Sequence, residues 1–236
     1  MARSEAIRIG WLPHIYGGLL RTNVYIDGFN LYYAIKYTTY KWLDLSALCH
    51  RLLPTHSIQK IKYFTAIVKA LPHDPSVPVR QEAYFRGLRT LPNVEIHDEG
   101  HFVQWPRLFP QYPLAYTDPK NKSKPPQAVQ ILKAEEKGSD VNLASFLLKD
   151  CFKNDFDEAV VISNDSDLTT PIEIVVKDCG KPVTVINPHR KEYVSRQLIG
   201  AASNFYPSIN FSAYRKSQFL DSMTDSNGTF TKPPTW

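Results

Sequence analysis

Short unbroken runs of apolar residues alternate along this chain with segments whose apolar positions have helical spacing. Residues 24–26, 159–162 and 182–186 are such runs, and residues 61–68 have the same strand character. A strand with one wet face alternates apolar and polar residues, whereas a strand buried on both faces does not. The pattern therefore predicts an α/β sandwich, in which helices cover both faces of a mainly parallel sheet.

The segments between the strands predict amphipathic helices. Asp44 precedes an apolar stripe at positions i, i+3, i+4 and i+7 that ends before Pro54. In the middle of the chain, the apolar periodicity that starts at residues 129–134 continues to residue 151, and we predict a helical stripe there. Thr170 is predicted to cap a further helix, with Pro171 at its first position.

The chain of 236 residues is long enough to bury a full core as one domain. We predict a lead-in segment at residues 1–22, the domain at residues 23–202, and a C-terminal extension at residues 203–236 that lies over the core. Within the domain, residues 103–127 hold six prolines and four aromatic residues with little periodicity. We predict that they form an excursion from the core, rich in proline and lysine.

The cysteines and the hydropathy predict a cytoplasmic protein with no membrane partner. The three cysteines are far apart and lack a CxxC spacing, which is typical of buried thiols in a reducing compartment and not of disulfide frameworks or zinc sites. No apolar run reaches the length of a membrane span, and Pro13 and His14 interrupt the apolar segment near the N-terminus.

Charge is unevenly distributed along the chain. Residues 135–167 hold nine acids and three lysines, which leaves 25 bases against 14 acids elsewhere. Acids concentrated within an otherwise basic chain indicate a metal site that faces a polyanion. The alternative interpretation is an acidic, solvated helix face.

Acidic residues follow two of the predicted strands. Asp27 comes directly after residues 24–26, and Asp165 and Asp167 follow the 159–162 run. In parallel sheets, the loops that leave the carboxyl ends of the strands form the ligand crevice. These positions therefore predict a polar site at that edge of the sheet.

Asp140 opens the helix that leads into the second of these strands. Each aspartate also has an ordinary explanation, because Asp is common in turns and in the first turn of helices. If the strands that precede Asp27 and Asp165 are neighbours, however, the carboxylates repel one another by on the order of several kcal/mol unless a cation or protons relieve them. Oxygen ligands without Cys or His favour Mg²⁺ or Mn²⁺ over zinc.

Three segments of the chain resemble the motifs of NYN domains, the bacterial branch of the PIN-like metal-dependent nucleases. They are residues 24–30 (VYIDGFN), 137–144 (KGSDVNLA) and 160–168 (VVISNDSDL), and the resemblance spans about residues 22–200. It implies a Rossmann-like, three-layer fold. It also implies RNA cleavage that depends on Mg²⁺ or Mn²⁺ and leaves 5′-phosphate and 3′-hydroxyl ends.

By motif position, Asp27 resembles the first metal-binding acid of the family, and Asn30 resembles its polar partner. Asp140 is similar to the acid at the head of the middle helix, and Asp165 and Asp167 are similar to the acids after the fourth strand. The match of a further acid to Glu135 or to Glu136 stays open.

In the resulting hypothesis, Asp27, Asp140 and Asp165 hold the ions. Asp167 positions a water molecule or a second ion, and Asn30 and Ser163 orient the ligands.

Basic residues are predicted to contact the phosphates of a nucleic acid. The candidates are Lys120, Lys122, Lys124, Lys137, Arg190 and Lys191. The alternative for the first three is solvation on an arm that its aromatic residues fold down, and the alternative for Lys137 is a charge at a helix C-terminus.

We therefore predict a metal-dependent endoribonuclease, with RNA as its partner. One alternative is a non-cleaving RNA-binding module of the same fold. A small-molecule phosphatase is less well supported, because it needs a second Asp two residues after the first, where Phe29 stands. The sequence leaves open the RNA target, cleavage of DNA, the number of metal ions and homo-oligomerisation.

Overall fold

The computed structural model describes residues 20–70, 74–116 and 125–236. The strands are β1 (Arg21–Asp27), β2 (Ser57–Ala66), β3 (Val94–Pro110), β4 (Ala128–Lys137), β5 (Glu158–Ile162), β6 (Val183–Ile186), β7 (Asn204–Tyr206), β8 (Ser222–Asp225) and β9 (Gly228–Thr231). The α-helices are α1 (Gly28–Ile35), α2 (Leu45–Leu52), α3 (Val77–Arg89), α4 (Ser139–Phe152), α5 (Thr169–Lys177), α6 (Arg196–Ala201) and α7 (Phe211–Arg215).

Seven strands form one central sheet in the order β4-β3-β2-β1-β5-β6-β7, and β8 pairs with β9 in a separate hairpin. Neighbours in the central sheet run parallel except β3 and β4. Helices α1, α2, α3 and α7 cover one face of this sheet, and α4, α5 and α6 cover the other. The predicted three-layer α/β sandwich with a mainly parallel sheet is confirmed.

The central strands are apolar throughout because each of their faces meets a different core. Val24 and Ile26 of β1 pack with α1, α2 and α3, whereas Tyr25 between them packs with α4. All three side chains are fully buried. The strand β1 lies between β2 and β5 and is the middle strand of the sheet. The residues at its carboxyl end are therefore held on both sides by neighbouring strands.

The C-terminal part of the chain joins the core. The strand β7 pairs with β6, so the sheet continues beyond residue 202. Phe219 and Phe230 pack on Trp42, with ring centroids 5.6 and 6.2 Å apart. Residues 1–19, most of the predicted lead-in, lie outside the described residues.

The helical prediction for residues 129–134 is wrong, because these residues lie in β4. Strand β4 pairs antiparallel with β3 from His101 opposite Lys137 to Pro110 opposite Ala128. These paired segments, residues 101–110 and 128–137, form a hairpin arm. Residues 103–110 of the predicted excursion at residues 103–127 therefore belong to the arm, and its residues 117–124 lie outside the described residues. The apolar spacing in residues 129–134 fits either period, and the pairing with β3 decides for a strand.

The start of α5 also differs from the prediction. The helix begins at Thr169, and Leu168 precedes it as the cap residue, so Thr170 is not the cap. Pro171 lies in the first turn, where the missing N–H of proline costs no helical hydrogen bond.

A buried ion pair fixes α4 to the sheet. Lys62 of β2 places its Nζ 2.5 Å from Oδ2 of Asp150 in α4, and both side chains are only 5% exposed. The hydroxyl of Tyr25 in β1 donates to the same oxygen at 2.7 Å. Strands β1 and β2 therefore both position the helix whose first turn carries Asp140.

None of the described helices combines the length and apolar character that crossing a bilayer requires. The three cysteines are free thiols, of which Cys49 and Cys151 are buried and Cys179 is partly buried. Burial, with Cys179 nearby, raises the pKa of the Cys151 thiol to about 12.

Candidate metal centre

Three aspartates from separate parts of the chain meet at one edge of the sheet. Asp27 ends β1, Asp165 follows β5, and Asp140 lies in the first turn of α4. Strands β1 and β5 are parallel neighbours, as the sequence argument required, so their carboxyl ends coincide. One carboxylate oxygen from each aspartate lies within 4.8 Å of the other two. We call these three residues the carboxylate cluster.

Asp27 is the buried member of the carboxylate cluster. Its Oδ1 accepts a hydrogen bond from the backbone N–H of Asn30 at 2.9 Å and so caps α1. Its Oδ2 accepts from the hydroxyl of Ser163 at 2.9 Å. Burial raises the pKa of Asp27 to about 6, although these two hydrogen bonds oppose the rise. Asp27 is thus held in place by its hydrogen-bond partners, while burial disfavours the negative charge of its carboxylate.

Asp140 reaches the cluster because the chain turns sharply between β4 and α4. Gly138 makes that turn with a φ of +101°, a left-handed conformation that glycine adopts without steric cost. Partial burial of Asp140 raises its pKa to about 7, and the charges of Asp27 and Asp165 add to the rise. Two carboxylates of the cluster therefore have raised pKa values.

Ser163 and Asn30 orient the loop that follows β5. The Ser163 hydroxyl donates to Asp27 and accepts from the backbone N–H of Asp165 at 3.0 Å, so it joins two members of the cluster. The side-chain oxygen of Asn30 accepts from the backbone N–H of Asn164 at 3.0 Å. Both residues thus lie where an orienting role would place them.

Asp167 lies at the exposed rim of the site. Its backbone N–H donates to Oδ1 of Asp165 at 2.9 Å. Its negative charge contributes to the raised pKa of Asp140, although less than the charges of the cluster itself do. Asp167 is therefore close to the carboxylate cluster and open to solvent.

Glu136, and not Glu135, is the additional acid that faces the cluster. Its Oε1 accepts from the backbone N–H of Ser139 at 3.0 Å, and its charge raises the pKa of Asp27 and of Asp140. Glu135 binds Lys133, and its Oε2 lies 3.3 Å from Nζ of Lys137. These lysines lower the pKa of Glu135 to about 2. Successive side chains of a strand point to opposite faces, which separates the two glutamates.

The structure describes three of the six residues that were predicted to bind phosphates. Lys120, Lys122 and Lys124 lie outside the described residues. Lys137 pairs with Glu135 on the face of β4 opposite Glu136, and the alternative of a helix C-terminal charge is wrong because β4 is a strand.

Arg190 and Lys191 lie exposed on the segment after β6. This segment is joined to the rim of the site through Asn164. The Asn164 side chain donates to the backbone oxygen of Tyr193 and accepts from the backbone N–H of Ser195 at 2.8 Å. The segment that carries Arg190 and Lys191 is therefore hydrogen-bonded to the loop that carries Asp165.

The donor set fits a hard divalent cation. Asp27, Asp140 and Asp165 would hold it, with Glu136 beside them, and all four offer carboxylate oxygens, which Mg²⁺ and Mn²⁺ prefer. The raised pKa values of Asp27 and Asp140 indicate an excess of negative charge that a cation would neutralise.

Binding of Mn²⁺ is expected to weaken as the pH falls from about 8 to about 6. The pKa of Asp140 is about 7 and that of Asp27 about 6, so both take up protons in this range and compete with the ion. Isothermal titration calorimetry should show an affinity at least about tenfold lower at the acidic end. Because the folded-state pKa values lie above the unfolded ones, the folded protein holds more protons, and the metal-free protein should lose stability as the pH rises from about 4 to about 7.

Asp140→Asn provides the control for this pH dependence. The variant removes the group with the higher pKa, so it should bind Mn²⁺ more weakly with a shallower dependence on pH, and its metal-free stability should fall less between pH 4 and 7. Equal affinities of the unmodified protein at both pH values would contradict the assignment of Asp140 as a ligand.

Comparisons with known proteins identify the family and the fold of the chain. The chain matches the family described as "NYN domain" over residues 21–210. It is 31% identical over 191 residues to 6-hydroxy-3-succinoylpyridine 3-monooxygenase HspA of Pseudomonas putida (strain DSM 28022 / S16), a match that covers 72% of this chain. The chain spans about 60% of the length of that relative.

A solved structure shares the fold. It is a protein of unknown function from Vibrio parahaemolyticus RIMD 2210633, with a TM-score of 0.52 and 18% sequence identity. The match covers 83% of this chain and 96% of that one. At this identity the likeness extends to the fold alone.

Proposed function

We propose that this chain, which belongs to the NYN domain family and so to the PIN-like nuclease superfamily, is a metal-dependent endoribonuclease. It would hydrolyse phosphodiester bonds of RNA and leave 5′-phosphate and 3′-hydroxyl ends. The observation that carries the proposal is the carboxylate cluster, whose three oxygens lie within 4.8 Å of one another at the carboxyl edge of the sheet.

The roles of the residues follow from their placement. Asp27, Asp140 and Asp165 would hold Mg²⁺ or Mn²⁺, an ion that lowers the pKa of a bound water and stabilises developing negative charge on a phosphate. Ser163 keeps Asp27 and Asp165 in a fixed relation. Asp167, exposed at the rim, would orient the attacking water or a second ion.

The charge of the molecule supports a polyanionic substrate. The chain has a net charge of +5 and an isoelectric point near 9.0, although three carboxylates meet at the cluster. Arg190 and Lys191 are proposed to contact backbone phosphates on one side of the site, since Asn164 joins their segment to the loop of Asp165. Phosphate contacts of this kind weaken with salt, so RNA binding should be sensitive to ionic strength.

The test is a cleavage assay with defined ends. Single-stranded RNA labelled at its 3′ end and the corresponding DNA are incubated with Mg²⁺, with Mn²⁺ or with a chelator. The proposal expects internal cuts in RNA that require the metal, and products that are substrates for a 5′-phosphate-dependent exonuclease without prior phosphorylation. RNA that is bound but remains uncut with both metals over a broad panel would favour the non-cleaving module.

A second candidate function comes from the relative in Pseudomonas putida, whose name describes oxygenation of a hydroxypyridine. A cavity lined by aromatic residues adjoins the cluster and is large enough for such a ring. Hydroxylation also needs molecular oxygen and a reductant, and the glycine-rich fingerprint of dinucleotide binding is missing from the sequence. Oxygen uptake with 6-hydroxy-3-succinoylpyridine and a reduced nicotinamide, together with no RNA cleavage, would favour this candidate.

A further inference from the structure

A cavity of about 650 Å³ lies beside the carboxylate cluster, between α1, α3 and the base of the hairpin arm. Gly28 and Phe29, which directly follow Asp27, form part of its wall. Tyr63 also lines it and lies beneath Gly28, where an added Cβ would be 2.7 Å from the tyrosine Cζ. Burial raises the pKa of the Tyr63 hydroxyl, and the charge of Asp27 adds to the rise. The cavity therefore begins at the residue that follows Asp27 in the chain.

Exposed aromatic rings line the side of the cavity formed by α1. Tyr32 and Tyr33 are 43% and 57% exposed, and their ring centroids are 5.8 Å apart. Phe29 meets Phe102 of the hairpin arm edge to face at 5.6 Å, so the arm closes this side. Exposed aromatic faces are where unpaired bases stack, whatever their identity.

The cavity is also lined by positively charged side chains. They belong to Lys36, Lys41, Lys69 and Arg80, and Nζ of Lys36 lies 4.9 Å from the ring centroid of Tyr33. Among the described lining residues the only acid is Asp74, whose Oδ2 lies 2.5 Å from Arg80. Lys41 donates to the backbone oxygen of Thr235 at 2.9 Å. Partial burial lowers the pKa of Lys41, and the charge of Arg80 adds to this effect. An anionic group would relieve this concentration of positive charge.

We propose that this cavity binds one unpaired nucleotide of the RNA strand, with its base against Tyr32 and Tyr33 and its phosphate towards the lysines, while a neighbouring phosphodiester lies at the carboxylate cluster. The inference rests on the proposed nuclease function. The volume lies within the roughly 300–1,000 Å³ that is usual for sites that bind one small molecule. A base within a duplex is already paired and stacked, and it would have to leave the helix to enter the cavity. The protein should therefore select single-stranded RNA.

The experiment measures binding without cleavage. Fluorescence anisotropy follows a labelled ten-nucleotide single-stranded RNA added to the Asp165→Asn protein in the presence of Mg²⁺. In the same background, Tyr32→Ala/Tyr33→Ala should raise the Kd about tenfold or more, the scale of losing stacked bases. Phe152→Ala should leave it unchanged, because this 74% exposed ring lies at the opposite end of α4 from Asp140.

A set of RNAs with one abasic position each provides a second measurement, and its first part needs no tyrosine variant. One abasic position should weaken binding to the parent protein, and the same RNA should lose little further affinity with the double tyrosine variant, because the two changes remove the same stack. A duplex RNA should bind more weakly than the single strand. The single variant Tyr33→Ala repeats the test if the double variant does not fold.

The outcomes separate the two proposals. RNA binding that the tyrosine variants and all abasic positions leave unchanged overturns the nucleotide site and keeps the nuclease proposal. Absence of RNA binding by both the unmodified and the Asp165→Asn protein overturns both proposals. Single-stranded binding that depends on the tyrosines and on one abasic position supports the site.

Discussion

Replacing Asp165 by asparagine is expected to lower metal-dependent RNA cleavage by at least about 10²-fold, the scale for removing one preorganised electrostatic contact in an active site. Asparagine keeps the side-chain oxygen that accepts from the backbone N–H of Asp167 at 2.9 Å, so the loop after β5 should keep its shape. The substitution removes one of three negative charges that lie within 4.8 Å of each other. RNA binding should therefore be equal or stronger.

A matched control is Asp178→Asn. Asp178 is an exposed carboxylate at the end of α5, and its loss should leave the cleavage rate unchanged. Parallel purification of both variants also excludes a contaminating nuclease, because only the Asp165 variant should lose activity. A cleavage rate for Asp165→Asn within a factor of about two of the unmodified protein would mean that the carboxylate cluster is not the catalytic site.

Lys62→Met is expected to destabilise the protein by about 3–5 kcal/mol, the usual cost of removing one partner from a buried ion pair. The Asp150 carboxylate would stay 5% exposed and keep its hydrogen bond from Tyr25, but its cation would be gone. Urea unfolding followed by circular dichroism measures the free energy of unfolding directly. Since the pair joins α4 to β2, the loss should also affect the position of Asp140.

Lys60→Met serves as the control on the same strand. Lys60 lies 2.8 Å from Asp155, but these side chains are 40% and 36% exposed, and exposed pairs contribute at most about 1 kcal/mol. The variant should therefore unfold at nearly the same urea concentration as the unmodified protein. Equal effects of the two substitutions would show that the Lys62 pair is not desolvated as the structure indicates.

The fold class and the central part of the site could be predicted from the sequence because both depend on local patterns. The run at residues 24–26 followed by Asp27, and the run at residues 159–162 followed by Asp165, predict buried strands that end in carboxylates. The meeting of Asp27 and Asp165 also requires that β1 and β5 be neighbours. This is a long-range pairing that the sequence does not show, and the order of strands in the sheet establishes it.

The hairpin arm shows where local patterns fail. Residues 129–134 have apolar side chains at spacings that suit a helix as well as a strand, and most of them are exposed. Their conformation follows from hydrogen bonding to β3, which begins 34 residues earlier in the chain. As long as residues 128–137 are not recognised as a strand, the sequence does not show that the side chains of Glu135 and Glu136 point to opposite faces.

The aromatic cavity was missed for a similar reason. Tyr32 and Tyr33 look in the sequence like ordinary helix residues, and nothing local shows that one face of α1 is left open by the core. The cavity exists because α3 and the hairpin arm stand on either side of α1, and both come from other parts of the chain.

The order of strands in the sheet also determines which parts of the site can open locally while the protein stays folded. Strands β1 and β5 are bonded on both edges, so their central amides should exchange with deuterium only through global unfolding. The arm's strand β4 is bonded to β3 alone, and its amides should exchange through local fraying well below that free energy. The strand that ends in Asp27 should therefore stay paired for as long as the protein is folded, whereas the strand that carries Glu136 should open and close many times in that period.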